Sequence, residues 1–193
     1  MIKRIQQYLH RWKEYKLGLK GKNKKLYILV TTLEDIFVAL MLALLVRQFA
    51  FQSSMVYSGS MIPTMQVNDF LIVNKLVYKF REPKRSEIVL FKSPHGDKKQ
   101  FVKRLIGLPG DRIEIKRGVV YINGQQLILP GVDVARDYSF YGPIAVPENS
   151  YFFLGDNRQF SADSRYWGFV KEEDLIGKAL FTFWPITRMQ VLY

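Results

Sequence analysis

The sequence predicts a mainly β domain of coiled antiparallel sheets carried behind an N-terminal transmembrane helix. Three observations predict it. An apolar run lies between Leu26 and Phe51, the periodicity changes from helical to strand-like after it, and glycine- or proline-bearing turns cut the rest into short, branched segments. With 193 residues, the chain has room for one compact domain beyond the apolar run, but not for two full-sized ones.

Residues 1–25 form a basic tail, with helical character around Tyr8 to Tyr15. Lys3, Arg4, Arg11, Lys13, Lys16, Lys20, Lys22, Lys24 and Lys25 stand there against Glu14 alone, so most of the formal net charge of +12 precedes the apolar run. That distribution suits membrane orientation better than phosphate recognition. Within residues 26–51 the uninterrupted apolar core, Ile36 to Val46, is too short to cross a bilayer by itself. It spans one only with its neighbours, with Arg47 snorkelling to one interface and Glu34 and Asp35 near the other. A cleavable signal peptide fits less well, because the basic region is long and no Ala-x-Ala-like site follows Val46. A buried helix of a soluble protein is the other reading. The positive-inside rule places the tail in the cytoplasm and residues 52–193 outside.

Phe70 to Val73, Ile88 to Phe91 and Phe101-Val102 read as short buried strands. Asp111 to Leu129 reads as a meander with turns at Arg117-Gly118 and Asn123-Gly124. Pro130 to Asn149 is loop-rich, Tyr151 to Leu154 a further buried strand, Lys171 to Ile176 a short helix ended by Gly177, and Ala179 to Trp184 a final strand.

Composition removes several chemistries. The absence of cysteine excludes thiol nucleophiles, disulfides and thiolate zinc sites. His10 and His95 are the only imidazoles, too few for three-histidine zinc chemistry, and neither metal nor cofactor is expected. Nucleic acid is disfavoured by the tail-weighted charge and the lack of a helix-turn-helix signal.

Three segments hold the reactive groups. In Tyr57-Ser58-Gly59-Ser60-Met61-Ile62-Pro63-Thr64, Gly59 and Pro63 shape a turn with a hydroxyl on each side of the glycine, a form that can present a serine Oγ and its own backbone N–H to an acyl group. A polar turn following a helix has the same pattern. A nucleophile needs a base, and His95 lies in what reads as a hairpin tip. Lys103 sits in the otherwise apolar Phe101-Val102-Lys103-Arg104-Leu105-Ile106, whereas most other lysines fall in tails and turns. At pH 7 an exposed lysine loses its proton only at a cost of roughly 4.6 kcal/mol, so a basic role demands burial. A solvent-facing strand residue fits that pattern equally. The third segment, Gly155 to Gly168, is dense in polar groups after a buried strand. There Ser161 is placed to aim a neutral amine, with Asp163 and Arg165 as an ion pair bracing the loop.

Together, Ser58-Gly59-Ser60-Met61-x-Pro63-Thr64, Lys103-Arg104-x-x-Gly107-Leu108-Pro109-Gly110-Asp111 and Gly155-Asp156-Asn157-Arg158-x-x-Ser161-x-Asp163-Ser164-Arg165-x-x-Gly168, in this order behind an anchor, resemble bacterial type I signal peptidases. Tyr57 stands where that family often has proline, and Ser86-Glu87 where Gly-Asp is common. The resemblance implies a Ser60 nucleophile, a neutral Lys103 general base, and an oxyanion site from the Ser60 N–H and the Ser58 hydroxyl. Ser161, Asp163 and Arg165 would support them, and Val56 and Val102 would line pockets for small side chains before the cut in Ala-x-Ala-like sites. It implies exported preproteins as substrates, a single-pass location in the cytoplasmic membrane near the export machinery, and no cofactor. A non-catalytic, membrane-tethered peptide-binding domain is the alternative reading.

Overall fold

The computed structural model describes residues 2–132 and 137–193, which divide into two compact units, Met1–Gln48 and Phe49–Tyr193. In the first unit, α1 runs over Ile2–Lys22 and α2 over Lys24–Ala50. The helix in the basic tail is therefore longer than its pattern suggested. Asn23 separates the two helices, and its Oδ1 accepts from the Leu26 N–H at 3.1 Å. The chain folds back there. Trp12 Nε1 donates to Glu34 Oε1 at 3.3 Å and Lys16 Nζ to Glu34 Oε2 at 2.5 Å, so the acidic interruption in the apolar helix has partners on α1. α2 is long and apolar enough to cross a membrane, and its apolar side chains, such as Leu33, Phe37, Leu40 and Leu44, are exposed.

Among the described residues, the second unit is built from twelve strands and two short helices. They are β1 Phe51–Met55, β2 Phe70–Asn74, α3 Val77–Phe80, β3 Ile88–Lys92, β4 Gln100–Gly107, β5 Arg112–Lys116, β6 Val119–Ile122, β7 Gln125–Gln126, β8 Phe140–Ala145, β9 Ser150–Leu154, α4 Ser164–Trp167, β10 Val170–Lys171, β11 Leu175–Trp184 and β12 Gln190–Val191. The large sheet has the order β1-β2-β11-β3-β4-β9-β10, with β12 added on β11; the small sheet has the order β7-β6-β5-β8. Every pairing is antiparallel. The expected mainly β architecture of curled antiparallel sheets is present.

Branched and aromatic residues fill the cores. Ile88 to Phe91 is buried on both faces, as its unbroken apolar run required. The turns at Arg117-Gly118 and Asn123-Gly124 place all four residues at positive φ, the geometry that tight hairpins demand.

Two elements differ from expectation. Lys171 to Ile176 is not a helix: β10 ends at Lys171, Glu172–Asp174 form one 3-10 turn, and β11 begins at Leu175. The reason lies in Gly177. A Cβ there would collide with the Asn74 carbonyl oxygen, so the glycine permits close strand approach rather than ending a helix. The loop-rich stretch also contains β8, whose Gly142-Pro143 is tolerated at the edge of the small sheet.

One asymmetry shapes the site. β4 pairs with β3 from Gln100 to Arg104 but with β9 only from Arg104 onward, leaving the outer backbone edge of Gln100 to Lys103 without a strand among the described residues. β1 is the edge strand of the same curled sheet. A cleft of about 650 Å³ lies between these two, walled by Gln52 to Ser58 and Lys98 to Val102, with Met61 and Leu90 in its lining.

Candidate active site

Gly59–Met61 form a single 3-10 turn entered from an extended Ser58. Met61 packs into the core at 1% exposure and pins the turn from beneath. The polar loop after β9 holds it from the other side: the Asn157 N–H donates to the Ser60 carbonyl at 3.0 Å, and Asn157 Nδ2 to the Gly59 carbonyl at 3.0 Å. Asp156 adds a second clasp. It accepts from Thr64 Oγ1 at 2.5 Å and from Arg104 Nε and Nη2 at 2.8 and 2.6 Å, linking turn, loop and β4.

Ser60 is buried, and its Oγ lies 3.1 Å from Ser58 Oγ. Lys103 opens the stretch of β4, Lys103 to Gly107, that is buried at every position. It is only 2% exposed, and its Nζ donates to Ser161 Oγ at 3.1 Å. Gly155 gathers these groups. A Cβ there would lie 2.5 Å from the Ser60 carbonyl oxygen and 2.5 Å from Ser161 Cβ, and would also strike Ser161 Oγ. Ser60 and Ser161, the lysine's partner, thus crowd one small space that only glycine leaves open.

Burial pulls the Lys103 amine down from its ordinary 10.5 to about 8. Desolvation of the ammonium is the main cause; Asp163 and Asp156 pull the other way, and Arg165 adds to the lowering. At pH 7 freeing such an amine costs about 1.4 kcal/mol. The amine is therefore dry enough to be a base and basic enough to hold a proton in transit.

Asp163 is fully buried. Arg165 meets it with two parallel hydrogen bonds, Nε to Oδ1 at 2.8 Å and Nη2 to Oδ2 at 2.9 Å. Asp163 also accepts from the Gly155 N–H at 3.1 Å and caps α4 through the Arg165 N–H. Val56 is buried and Val102 half-buried, both along the cleft. The Val56 N–H and carbonyl are used by Asp69 and Asn68, so the outward-facing backbone groups on that wall belong to neighbouring residues such as Met55 and Tyr57. His95 is exposed in the β3–β4 turn, its ring edge-on to Trp167 at 5.9 Å.

Several contributors carried no sequence-derived role. Thr64, Arg104, Asp156, Asn157 and Arg158 all stand within the three motifs, where a charged residue beside a buried strand was the available signal. Asp137 lies in the loop-rich stretch, and nothing nearby marked it.

A hydroxyl on a shaped turn, a dry amine and a strand-edged cleft are the parts of an acyl-transfer enzyme acting on extended peptides. Comparison with known proteins specifies the class. Residues 29–184 match the family described as "Signal peptidase, peptidase S26". A probable signal peptidase I-2 from Synechocystis is 43% identical over 159 residues, covering 80% of this chain and 72% of that protein. Signal peptidase I from Leptolyngbya laminosa is 40% identical over 168 residues, 83% and 82% of the two chains, and signal peptidase I T from Bacillus subtilis is 38% identical over 168 residues, 80% and 85%. A signal peptidase I structure from Enterococcus faecalis is similar at a TM-score of 0.46 and 36% identity, over 51% of this chain and 97% of that one. The chain belongs to the signal peptidase I family of serine endopeptidases, which remove signal peptides from exported preproteins.

Proposed function

We propose that Ser60 and Lys103 form the catalytic dyad, with a neutral Lys103 amine as general base. The observation that carries the reading is an almost solvent-free Nζ held by the Ser161 hydroxyl beside the Ser60 turn. Ser60 Oγ attacks the scissile carbonyl carbon and passes its proton to Lys103 Nζ. The oxyanion is held by the Ser60 N–H and the Ser58 hydroxyl. Lys103 then gives its proton to the departing amine; in deacylation it takes a proton from the water that adds to the acyl carbon and returns it to Ser60 Oγ as the acyl–serine bond breaks and the signal peptide leaves. Ser161 aims the amine; Asp163 and Arg165 hold the loop that carries Ser161.

The substrate lies extended in the cleft, pairing with the open edges of β1 and β4 by backbone hydrogen bonds. Val56 and Val102 crowd the wall and admit only small side chains, which gives the preference for Ala-x-Ala-like sites. Residues 1–25 stay in the cytoplasm, residues 26–51 span the cytoplasmic membrane once, and residues 52–193 act outside, where preproteins arrive from the export machinery. Open strand edges would equally serve a peptide-binding domain without catalysis, but such a domain has no use for a desolvated lysine.

The test is the pH profile of preprotein cleavage in detergent. Because the reactive form is the free amine, kcat/KM is expected to rise about tenfold per pH unit below about 8 and to level off above it. A profile flat from pH 5 to 9 would remove Lys103 as base. Ser58→Ala is expected to lower kcat about 10²-fold while KM stays within about twofold, as befits a donor used in the transition state. A loss confined to KM would take Ser58 out of the oxyanion site.

A further inference from the structure

The small sheet reaches the catalytic loop through a residue outside all three motifs. Asp137 precedes β8 and is 5% exposed. Its Oδ1 accepts from the Ser139 N–H at 2.9 Å, and the Ser139 carbonyl accepts from the Gly118 N–H at 3.1 Å in the β5–β6 turn. The fit is close: a Cβ on Gly118 would stand 2.5 Å from Asp137 Cβ. The Gly118 carbonyl in turn accepts from Arg158 Nη1 at 3.2 Å.

The other carboxylate oxygen faces Arg165. Nη1 of that guanidinium lies 3.3 Å from Asp137 Oδ2 and 3.2 Å from Ser139 Oγ, Nε and Nη2 bind Asp163, and Nη2 also donates to the Arg158 carbonyl at 2.6 Å. Arg165 is thus bracketed by Asp163 on one side and by Asp137, from the small sheet, on the other. We propose that Asp137 is a positioning residue for the reaction: it holds Arg165, and through it Asp163 and the Ser161 loop, in the place and charge balance that Lys103 requires.

Electroneutrality gives the proposal its sign. Asp137, Asp156 and Asp163 stand among Arg104, Arg158 and Arg165, one carboxylate side chain for each guanidinium, and Arg104 donates further to the Tyr193 backbone oxygen at 2.9 Å. Acting on the amine from the loop are Asp156, Ser161, Asp163 and Arg165; β3 sets Val89 opposite Lys103, Arg104 follows on its own strand, and the 3-10 turn of Gly59–Met61, packed against β4, carries no charged side chain. Removing the Asp137 charge takes one carboxylate from beside Arg165, and the more positive field disfavours the ammonium form of Lys103.

The inference rests on Lys103 being the base. Asp137→Asn in the full-length protein, assayed on a preprotein in detergent, is expected to move the acid limb about half a pH unit downward and to lower plateau kcat about tenfold. KM should remain within about twofold, because the cleft is built by β1 and β4. Asp137→Glu, which restores the charge, should return the limb to its original pH. An unmoved or upward-shifted limb, or a defect in KM alone, overturns the proposal. If Asp137→Asn does not fold, Ser139→Ala decides: it removes the other Nη1 acceptor without changing charge, and should lower kcat about threefold at an unmoved limb. An unchanged kcat overturns the proposal. Failure of the dyad reading itself looks different, since activity would then survive loss of Lys103, whereas a Lys103-dependent enzyme indifferent to Asp137 defeats this inference alone.

Discussion

Lys103→Met is expected to yield a protein that is folded, more stable than its parent, and inactive. Methionine matches the lysine stem in length and needs no hydration, so the site stays filled. In the proposed dyad the amine is the acceptor of the Ser60 proton, so without it turnover should fall by at least about 10⁴-fold, as when other activated serines lose their base. Ser60→Ala should be equally silent. The gain in stability follows from linkage. The amine sits near 8 in the folded state against about 10.5 unfolded, so below pH 8 folding buries an ammonium that water would prefer to keep. That cost is complete below pH 8, shrinks as pH rises from 8 to 10.5, and vanishes above. It amounts to about 3 kcal/mol, part of which Lys103→Met recovers at pH 7. Thermal melts at pH 7 and pH 10 provide the check: the advantage should be largest at pH 7 and fade at pH 10. An active variant would end the dyad assignment; an inactive one with no stability advantage at pH 7 would mean that the amine is hydrated and charged.

Gly155→Ala is the second large effect, and it works by geometry alone. The new methyl meets the Ser60 carbonyl oxygen and both heavy atoms of the Ser161 side chain, and two of those three partners are on, or one bond from, backbone that other hydrogen bonds hold in place. Something must move by about an ångström. Displacement on that scale at a reacting centre costs about 10²-fold, and in the proposed dyad the displaced groups would be the nucleophile's own carbonyl and the group that aims the amine. Activity should fall about 10² to 10³-fold, with a stability loss of about 1–3 kcal/mol from overpacking. Near-normal kcat in a folded Gly155→Ala protein would show that Ser60 and Ser161 do not share that space in the working enzyme.

Much of the scaffold was legible because local chemistry and global fold agree. Ile88 to Phe91 could only be a doubly buried strand, Asn123-Gly124 only a tight turn, and Lys103 was marked by being a cation in an apolar stretch. Short-range signals fail where the deciding partner is distant. Leu175 joins a strand because Phe91 lies opposite it and Asn74 leaves no room for a side chain at Gly177, and neither residue is near it in sequence. The tail carries a long helix because Glu34 on α2 gives Trp12 and Lys16 partners. Asp137 was invisible for a further reason. It meets the loop through Arg165, 28 positions onward, and the network is completed by the backbone oxygens of Gly118 and Arg158, which no choice of side chain announces.

The half-paired β4 and the lone flank of β1 have a consequence for the enzyme at rest. Unfilled strand edges do not distinguish a preprotein from another copy of the same protein. Lys98 and Lys99 stand at the rim of the cleft, and Gln52 reaches across to Gln100 at 3.0 Å. Lys99 is paired with Asp97 at 3.4 Å, so Lys98 carries the repulsion of a second copy at the mouth, while a side-chain bridge is cheap for an incoming backbone to displace; refusal and receptivity are served at one doorway by different residues.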